Sequence, residues 1–418
     1  MGAAATVSNT GVQCCRWLLA SLAVVLLSAG TLEAQPAAPS PAPLTLQSAF
    51  QLADEHNRTL TAARLGRAVD LAGIGVARQR PNPEASFEAA RDTPHEIASL
   101  AFPLELGGKR ARRIDLANAT LARTTADLAV QSLDVRRTVR LAYYQLVAAT
   151  AQVQITSELR GFAERTRNAA RDRFESGAAP RLEALQAELL LAQADNDTEA
   201  ARGRQAAART LLNTALGRAA DTAAEPTDPF DGGVLPPDPA AIIAAGRDIA
   251  ALDREIDEAV AREHLARAMR HADPTVSGGV LFDARPEFTY GWRAGVAVGI
   301  PLFTRRTAEV QVETARVTQL RAQRDARLAT LTGEATAAAT RAEAARRQYL
   351  RYRDEIIPQL ATMEAMAEDS YRSGQTNLTA FLQALQAARE VRLRATDAGL
   401  EYQTALADLE RALGGPIQ

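Results

Sequence analysis

Few residues in this 418-residue chain are of types that do chemistry, and their spacing does not favour it. The two cysteines, Cys14 and Cys15, sit together near the start. The four histidines are His56, His95, His264 and His271. His264 and His271 are seven apart and would share a face of one helix, but zinc needs closer spacing or more ligands. They read as surface or interface histidines. Gly107-Gly108-Lys109-Arg110 lacks the glycine that a phosphate loop carries five residues before its Gly-Lys pair. A turn between strand and helix explains these glycines better. No Ser/His/Asp set or paired-carboxylate cleft can be argued. The expectation is a protein without catalytic residues, cofactor or metal site, and so not an enzyme.

The elements must then be read for something other than catalysis. Lys+Arg number 48 against Asp+Glu 50, a net charge of -2, which gives no electrostatic reason to expect nucleic acid. The chain is 47% apolar but only 5% aromatic, and Ala and Leu dominate, so long helices are favoured. The run from Trp17 to Gly30, preceded by Arg16 and followed by Leu32-Glu33-Ala34, reads as an exported leader cleaved near Ala34. A lipoprotein leader would place its cysteine after the apolar run, and here both precede it. The expected signal peptide is 1–34, followed by a Pro/Ala-rich spacer, 35–43. No later run is long and apolar enough for a membrane-spanning helix, whereas a barrel strand needs only ~10 alternating residues.

The chain repeats itself. Phe174-Glu175-Ser176-Gly177 matches Tyr371-Arg372-Ser373-Gly374, and Leu216-Gly217 matches Leu413-Gly414, both at an offset of 197. Pro103-Leu104 matches Pro301-Leu302 at 198, and Gly161 falls where Pro358 stands in the second copy. The expected division is a first repeat over 44–217, a connector over 218–238 and a second repeat over 239–418. The Pro/Asp-rich connector reads as a solvated linker.

Each half has the same order of parts. Short helices are predicted at Leu46 to Asn57 and Thr59 to Arg80. Strand-like segments follow at Pro83 to Asp92 and Glu96 to Leu106. A helix from Arg110 to Ser176 would span ~100 Å at ~1.5 Å per residue. Gly177 to Pro180 turns the chain, with Gly at the helix C-cap and Pro at the next N1, and a helix returns to Leu216. The second half repeats this, with a helix from Thr304 to Ser373, a turn at Gly374 and a helix from Asn377 to Leu413. Ile114, Leu121, Leu128 and Val135 recur every seven residues, a coiled-coil interval.

From Tyr290 to Ile300 the pattern has period two. Tyr290, Trp292, Ala294, Val296, Val298 and Ile300 share one face, and Gly291, Arg293, Gly295, Ala297 and Gly299 share the other. A small soluble sheet with one buried face would give the same alternation. The exported leader and the long helices favour a barrel, with Tyr290 and Trp292 as lipid-interface aromatics. Four strands cannot close a barrel, so several chains must contribute. Two would fill the interior with side chains, whereas three, twelve strands, would leave a lumen.

Ser99-Leu100-Ala101-Phe102-Pro103-Leu104-Glu105-Leu106-Gly107-Gly108-Lys109-Arg110 resembles the strand-to-helix junction of the outer-membrane efflux proteins, the TolC-like outer-membrane factors. The Leu-Glu-Leu-Gly-Gly-Lys-Arg string is similar to the heavy-metal, CzcC-like branch. Glu355-Ile356-Ile357-Pro358-Gln359, the Tyr371–Gly374 turn and the ending Ala407–Gly414 fit the same family. The resemblance implies a mainly α fold of long antiparallel coiled-coil hairpins plus four transmembrane strands per chain. It further implies a homotrimer forming one 12-stranded β-barrel in the lipid of a Gram-negative outer membrane and an α-helical tunnel in the periplasm. The implied partners are a periplasmic adaptor protein and an inner-membrane resistance-nodulation-division pump, with heavy-metal cations as cargo. The implied junction residues are Pro103, Gly107, Gly108 and Pro301. The implied tip and gate residues are Gly177, Glu183, Tyr371 and Gly374, with Glu183 bonding Tyr371 as a latch. Read without the family, Glu183 is a first-turn carboxylate favoured by the helix dipole. Thr376 stands where the best-known members carry a gate arginine, and Ala380 and Gln383 stand where they carry an acidic ring. The rival readings are organic-solute efflux or type I protein secretion on the same fold, and a soluble periplasmic coiled-coil scaffold.

Overall fold

The computed structural model describes residues 43–92, 94, 96–233, 242–283 and 289–415. The leader with its cleavage point near Ala34, most of the spacer, His95, Phe288 and the boundary at Pro239 lie outside the described residues.

The first half begins with β1 (Pro43–Leu44), α1 (Leu46–His56) and α2 (Arg58–Arg78). Thr45 and Ser48 form a capping box on α1. Asn57 closes one helix and opens the next. Its side chain accepts the N–H groups of Thr59 and Leu60 and donates to the Ala215 carbonyl at 2.7 Å. Strands β2 (Glu84–Ala89) and β3 (Glu96–Pro103) are shorter than their sequence segments, because pairing stops at Ala89 opposite Glu96 and β3 runs only to Pro103. The helix α3 (Lys109–Glu175) has 67 residues, as its uninterrupted sequence predicts, and α4 (Arg181–Leu216) returns along it. Ile114, Leu121, Leu128 and Val135 are only half-buried. The most deeply buried stretch of α3 comes later, at Val139, Tyr143 and Leu146, where α1 and α4 also close over it. Gly217 ends α4 at φ 73°, and a Cβ there would lie 2.1 Å from the His56 carbonyl oxygen, so both conformation and space demand glycine.

The second half carries α5 (Arg247–Ala268), β5 (Pro274–Asp283), β6 (Thr289–Val298), α6 (Thr307–Arg351), α7 (Ile357–Arg372) and α8 (Leu378–Leu413). The helix expected to run unbroken from Thr304 to Ser373 is interrupted by a π turn, Tyr352–Ile356, where the Ile357 N–H reaches five residues back to Tyr352. Pro358 follows at once. It has no N–H to give and crowds the preceding turn, so the helix widens there. Gly161 at the matching position imposes no such demand, and α3 stays continuous.

The connector is not a solvated linker over its described part. Its β4 (Glu225–Pro226) pairs in parallel with β1. The Tyr143 hydroxyl accepts the N–H groups of Thr227 and Asp228 and donates to the Leu44 carbonyl at 2.8 Å. Gln403 donates to the carbonyls of Phe230 and Gly232. Phe230 seats on Gly399 and joins Tyr144 to Tyr349, with ring centroids at 5.8 and 6.1 Å. Polar composition suggested solvent, but the carbonyls and one aromatic ring of this segment tie the two halves together.

β2, β3, β5 and β6 form one antiparallel sheet in that order, and β3 against β5 is where the halves meet. Among the described residues no helix is long and apolar enough to cross a membrane.

Candidate functional site

The register sorts the sheet into two faces. Phe87, Ala98, Val280 and Trp292 lie in one row across it, Ala85, Leu100, Gly278 and Ala294 in the next, and Phe102, Val276 and Val296 in a third. The opposite face carries Ser86, Ser99, Gly279 and Arg293, then Glu84, Ala101, Ser277 and Gly295. Ser86 and Ser99 share a hydrogen bond of 2.7 Å. The apolar face is uncovered. Tyr290 is 76% exposed, Trp292 82% and Val296 67%. Among the described residues no element of the chain covers that face. The outer edges of β2 and β6 are also unpaired among the described residues.

At the foot of the sheet, the Gly-Gly-Lys junction has a physical explanation. Gly107 and Gly108 take φ 68° and 72°. A Cβ on Gly107 would lie 2.6 Å from the His271 ring. The chain then delivers Lys109, almost fully buried, to Asp273 at 2.6 Å, and Asp273 also accepts the Leu106 N–H at 3.0 Å. Burial alone would raise the Asp273 carboxyl. The Lys109 ammonium and the Leu106 N–H outweigh it and hold the group below the usual carboxylate range. Glu105 pairs with Arg113 across the same bend. Pro103 pairs opposite Thr275 at the end of β3, and Pro301 lies just beyond β6 within a tight turn, where the Leu302 N–H bonds the Ile300 carbonyl. Arg306 occupies the place that Gly108 holds in the first half, and it is left-handed at φ 51°. The offset of 198 points to this residue, but its type hid the conformation.

His264 and His271 do not share a helix face. The helix α5 ends at Ala268, and His271 lies in the turn beyond it against Gly107. No group of residues that could hold a metal occurs among the described residues.

The far ends of the long helices turn alike. The Gly177 N–H bonds Phe174 and the Ala178 N–H bonds Arg173, while the Gly374 N–H bonds Tyr371 and the Gln375 N–H bonds Ser370. Both are Schellman turns, with φ 76° at Gly177 and 74° at Gly374. The structure brings Glu183 and Tyr371 together. The tyrosine hydroxyl donates to Glu183 Oε1 at 3.4 Å, and Arg173 reaches the same oxygen at 3.2 Å. Glu183 is thus both a first-turn carboxylate and the acceptor for Tyr371. The Tyr371 ring stacks on Phe381 at 4.8 Å, and Phe381 meets Phe162 at 5.2 Å. Burial raises the Tyr371 hydroxyl pKa, and the Glu183 charge raises it further. Arg173 was not found from sequence, although it stands just before the first turn.

The outer membrane efflux protein family matches this chain twice, over residues 49–218 and 246–415. The chain belongs to that family. A relative among characterised proteins is the cobalt-zinc-cadmium resistance protein CzcC of Cupriavidus metallidurans, 26% identical over 381 residues, covering 89% of this chain and 90% of the relative. The crystal structure of CusC superposes with a TM-score of 0.72 at 17% identity, covering 91% of this chain and 96% of that one. The Campylobacter jejuni CmeC outer membrane channel gives 0.71 at 16% identity, covering 89% and 86%. As an outer membrane efflux protein, the chain has the family and fold of a channel component, not of an enzyme.

Proposed function

We propose that this outer membrane efflux protein is the passive exit duct of a tripartite system that exports heavy-metal cations. Three chains associate, and their sheets close one 12-stranded barrel with the apolar face toward lipid and the serine-bearing face toward the lumen. The long hairpins continue from the barrel as a periplasmic tunnel. A periplasmic adaptor docks at the turns of Gly177 and Gly374, and a resistance-nodulation-division pump in the inner membrane supplies the cargo. The leader, 1–34, is removed, and the spacer at 35–43, the repeats at 44–217 and 239–418 and their connector at 218–238 make up the rest. The Glu183–Tyr371 contact is the latch that holds the tip closed.

The observation that carries this reading is the four-stranded sheet itself. It exposes a complete apolar face, leaves both edges unpaired and runs into helices far longer than a soluble core requires. The likeness to a cobalt-zinc-cadmium resistance protein over most of both chains supports the metal cargo. The test is cell-associated metal in a deletion strain and its complemented counterpart, challenged in turn with zinc, cobalt, cadmium, nickel, copper and silver. Raised divalent-ion content, reversed by complementation, is expected. No change for any metal would move the cargo to organic solutes or secreted protein.

A further inference from the structure

At the tip, Thr376, Ala380 and Gln383 are uncharged. Arg173 pairs with Glu183 inside the first hairpin and also bonds the Tyr371 hydroxyl of α7, so it belongs to the tip contact. Leu159, Leu382 and Leu385 pack against the Tyr371–Phe381–Phe162 cluster. With Leu190 they line a small apolar crevice between α3, α4 and α8. At the upper side of that crevice stand two arginines of α8. Arg389 pairs with Asp197 of α4 at 2.7 Å. Arg392 pairs with Glu158 of α3 at 2.9 Å and is braced from its own hairpin by Glu364 of α7. This tier lies ~12–16 Å above Phe381 at ~1.5 Å per residue.

We infer that Arg389 and Arg392 form a second, electrostatic latch, which holds α8 against the first hairpin and sets the aperture of the tunnel together with the Tyr371 contact. This rests on the gated-tunnel reading proposed above. The ties between the hairpins here are an aromatic and leucine cluster below and ion pairs above. All the tier's carboxylates and guanidiniums are partly exposed, so salt screens them. Release of either tier lets the hairpins swing part-way as units and widens the aperture.

The test is conductance of the purified full-length protein in planar bilayers, normalised to bulk conductivity. Arg389→Asp and Asp197→Arg should each raise it by about two- to fivefold, and the double swap should return it toward the parent value. Arg392→Gln should raise it as well. The parent's normalised conductance should rise with salt, and the rise should be smaller in Arg389→Asp. Tyr371→Phe is measured alongside. If Tyr371→Phe opens the channel while the arginine variants and the salt series change nothing, the second latch is overturned and the gated tip stands. If none of the variants opens it, the gated reading itself fails. A double swap as open as its parts would overturn the pairing.

Discussion

At the scale of residues, the junction and the aromatic face carry the account. Lys109 is the only lysine in the chain, and the structure buries it against Asp273. Asp273→Asn should destabilise the protein by about 2 kcal/mol at pH 7, because it leaves a buried ammonium without its counter-charge. The Asp273 carboxyl is depressed in the folded state, so its contribution is present above the ordinary carboxylate pKa of ~3.9 and lost as pH falls through the lower folded value. Unfolding midpoints at pH 7 and pH 3 check this. The gap between parent and variant should shrink at pH 3, and a constant gap would contradict it. Trp292 should be quenched by lipid-borne quenchers, and quenching from the aqueous phase alone would show the apolar face to be wet. Arg306→Gly should raise the thermal midpoint, since a left-handed arginine costs roughly 1 kcal/mol and glycine does not. An unchanged or lower midpoint would show that the backbone there carries no strain. The glycines of the junction were legible in the sequence because their neighbours form a motif. Arg306 and Arg173 were not, because an arginine announces neither a left-handed backbone nor a distant carboxylate.

At the scale of elements, periodicity was a reliable guide where an element satisfies its own needs. The 67-residue helix follows from the absence of proline and the single Gly161, and the sheet faces follow from strict alternation at Tyr290 to Ile300. The π turn was missed because Pro358 was read as a counterpart of Gly161, not as a residue lacking a donor. The connector was misread because its composition is polar. Its order comes from tertiary partners, Tyr143, Gln403 and Gly399, which no local pattern reveals. The two Schellman turns are the elements most exposed to test. Gly177→Val or Gly374→Val should disrupt its turn, because a β-branched residue pays heavily for positive φ while nothing else crowds either site. Loss of efflux with reduced assembly is expected. Full efflux and normal yield in both variants would contradict the turn's role.

At the scale of the whole molecule, the described residues present an uncovered apolar sheet face, two unpaired strand edges, and exposed aliphatic side chains at Leu65, Val69 and Val76 on α2 and at Leu182, Leu185 and Leu189 on α4. Water is a poor neighbour for such a surface. In the proposed assembly, lipid around a closed barrel and further copies of the chain around a tunnel would satisfy these needs together, and the family to which the chain belongs is one of outer membrane proteins. The sequence made the repeat legible, and the family matches each half in turn. The ties between hairpins were not legible, since Arg389, Asp197, Arg392 and Glu158 meet only after folding. The central claim is that copies of this chain complete one another in the membrane. Its most direct test is the mass of the particle extracted by detergent from purified outer membranes, measured by native mass spectrometry. Three chains per particle, resistant to dissociation until heated, is the predicted result. A single chain recovered from the soluble periplasmic fraction would contradict the account.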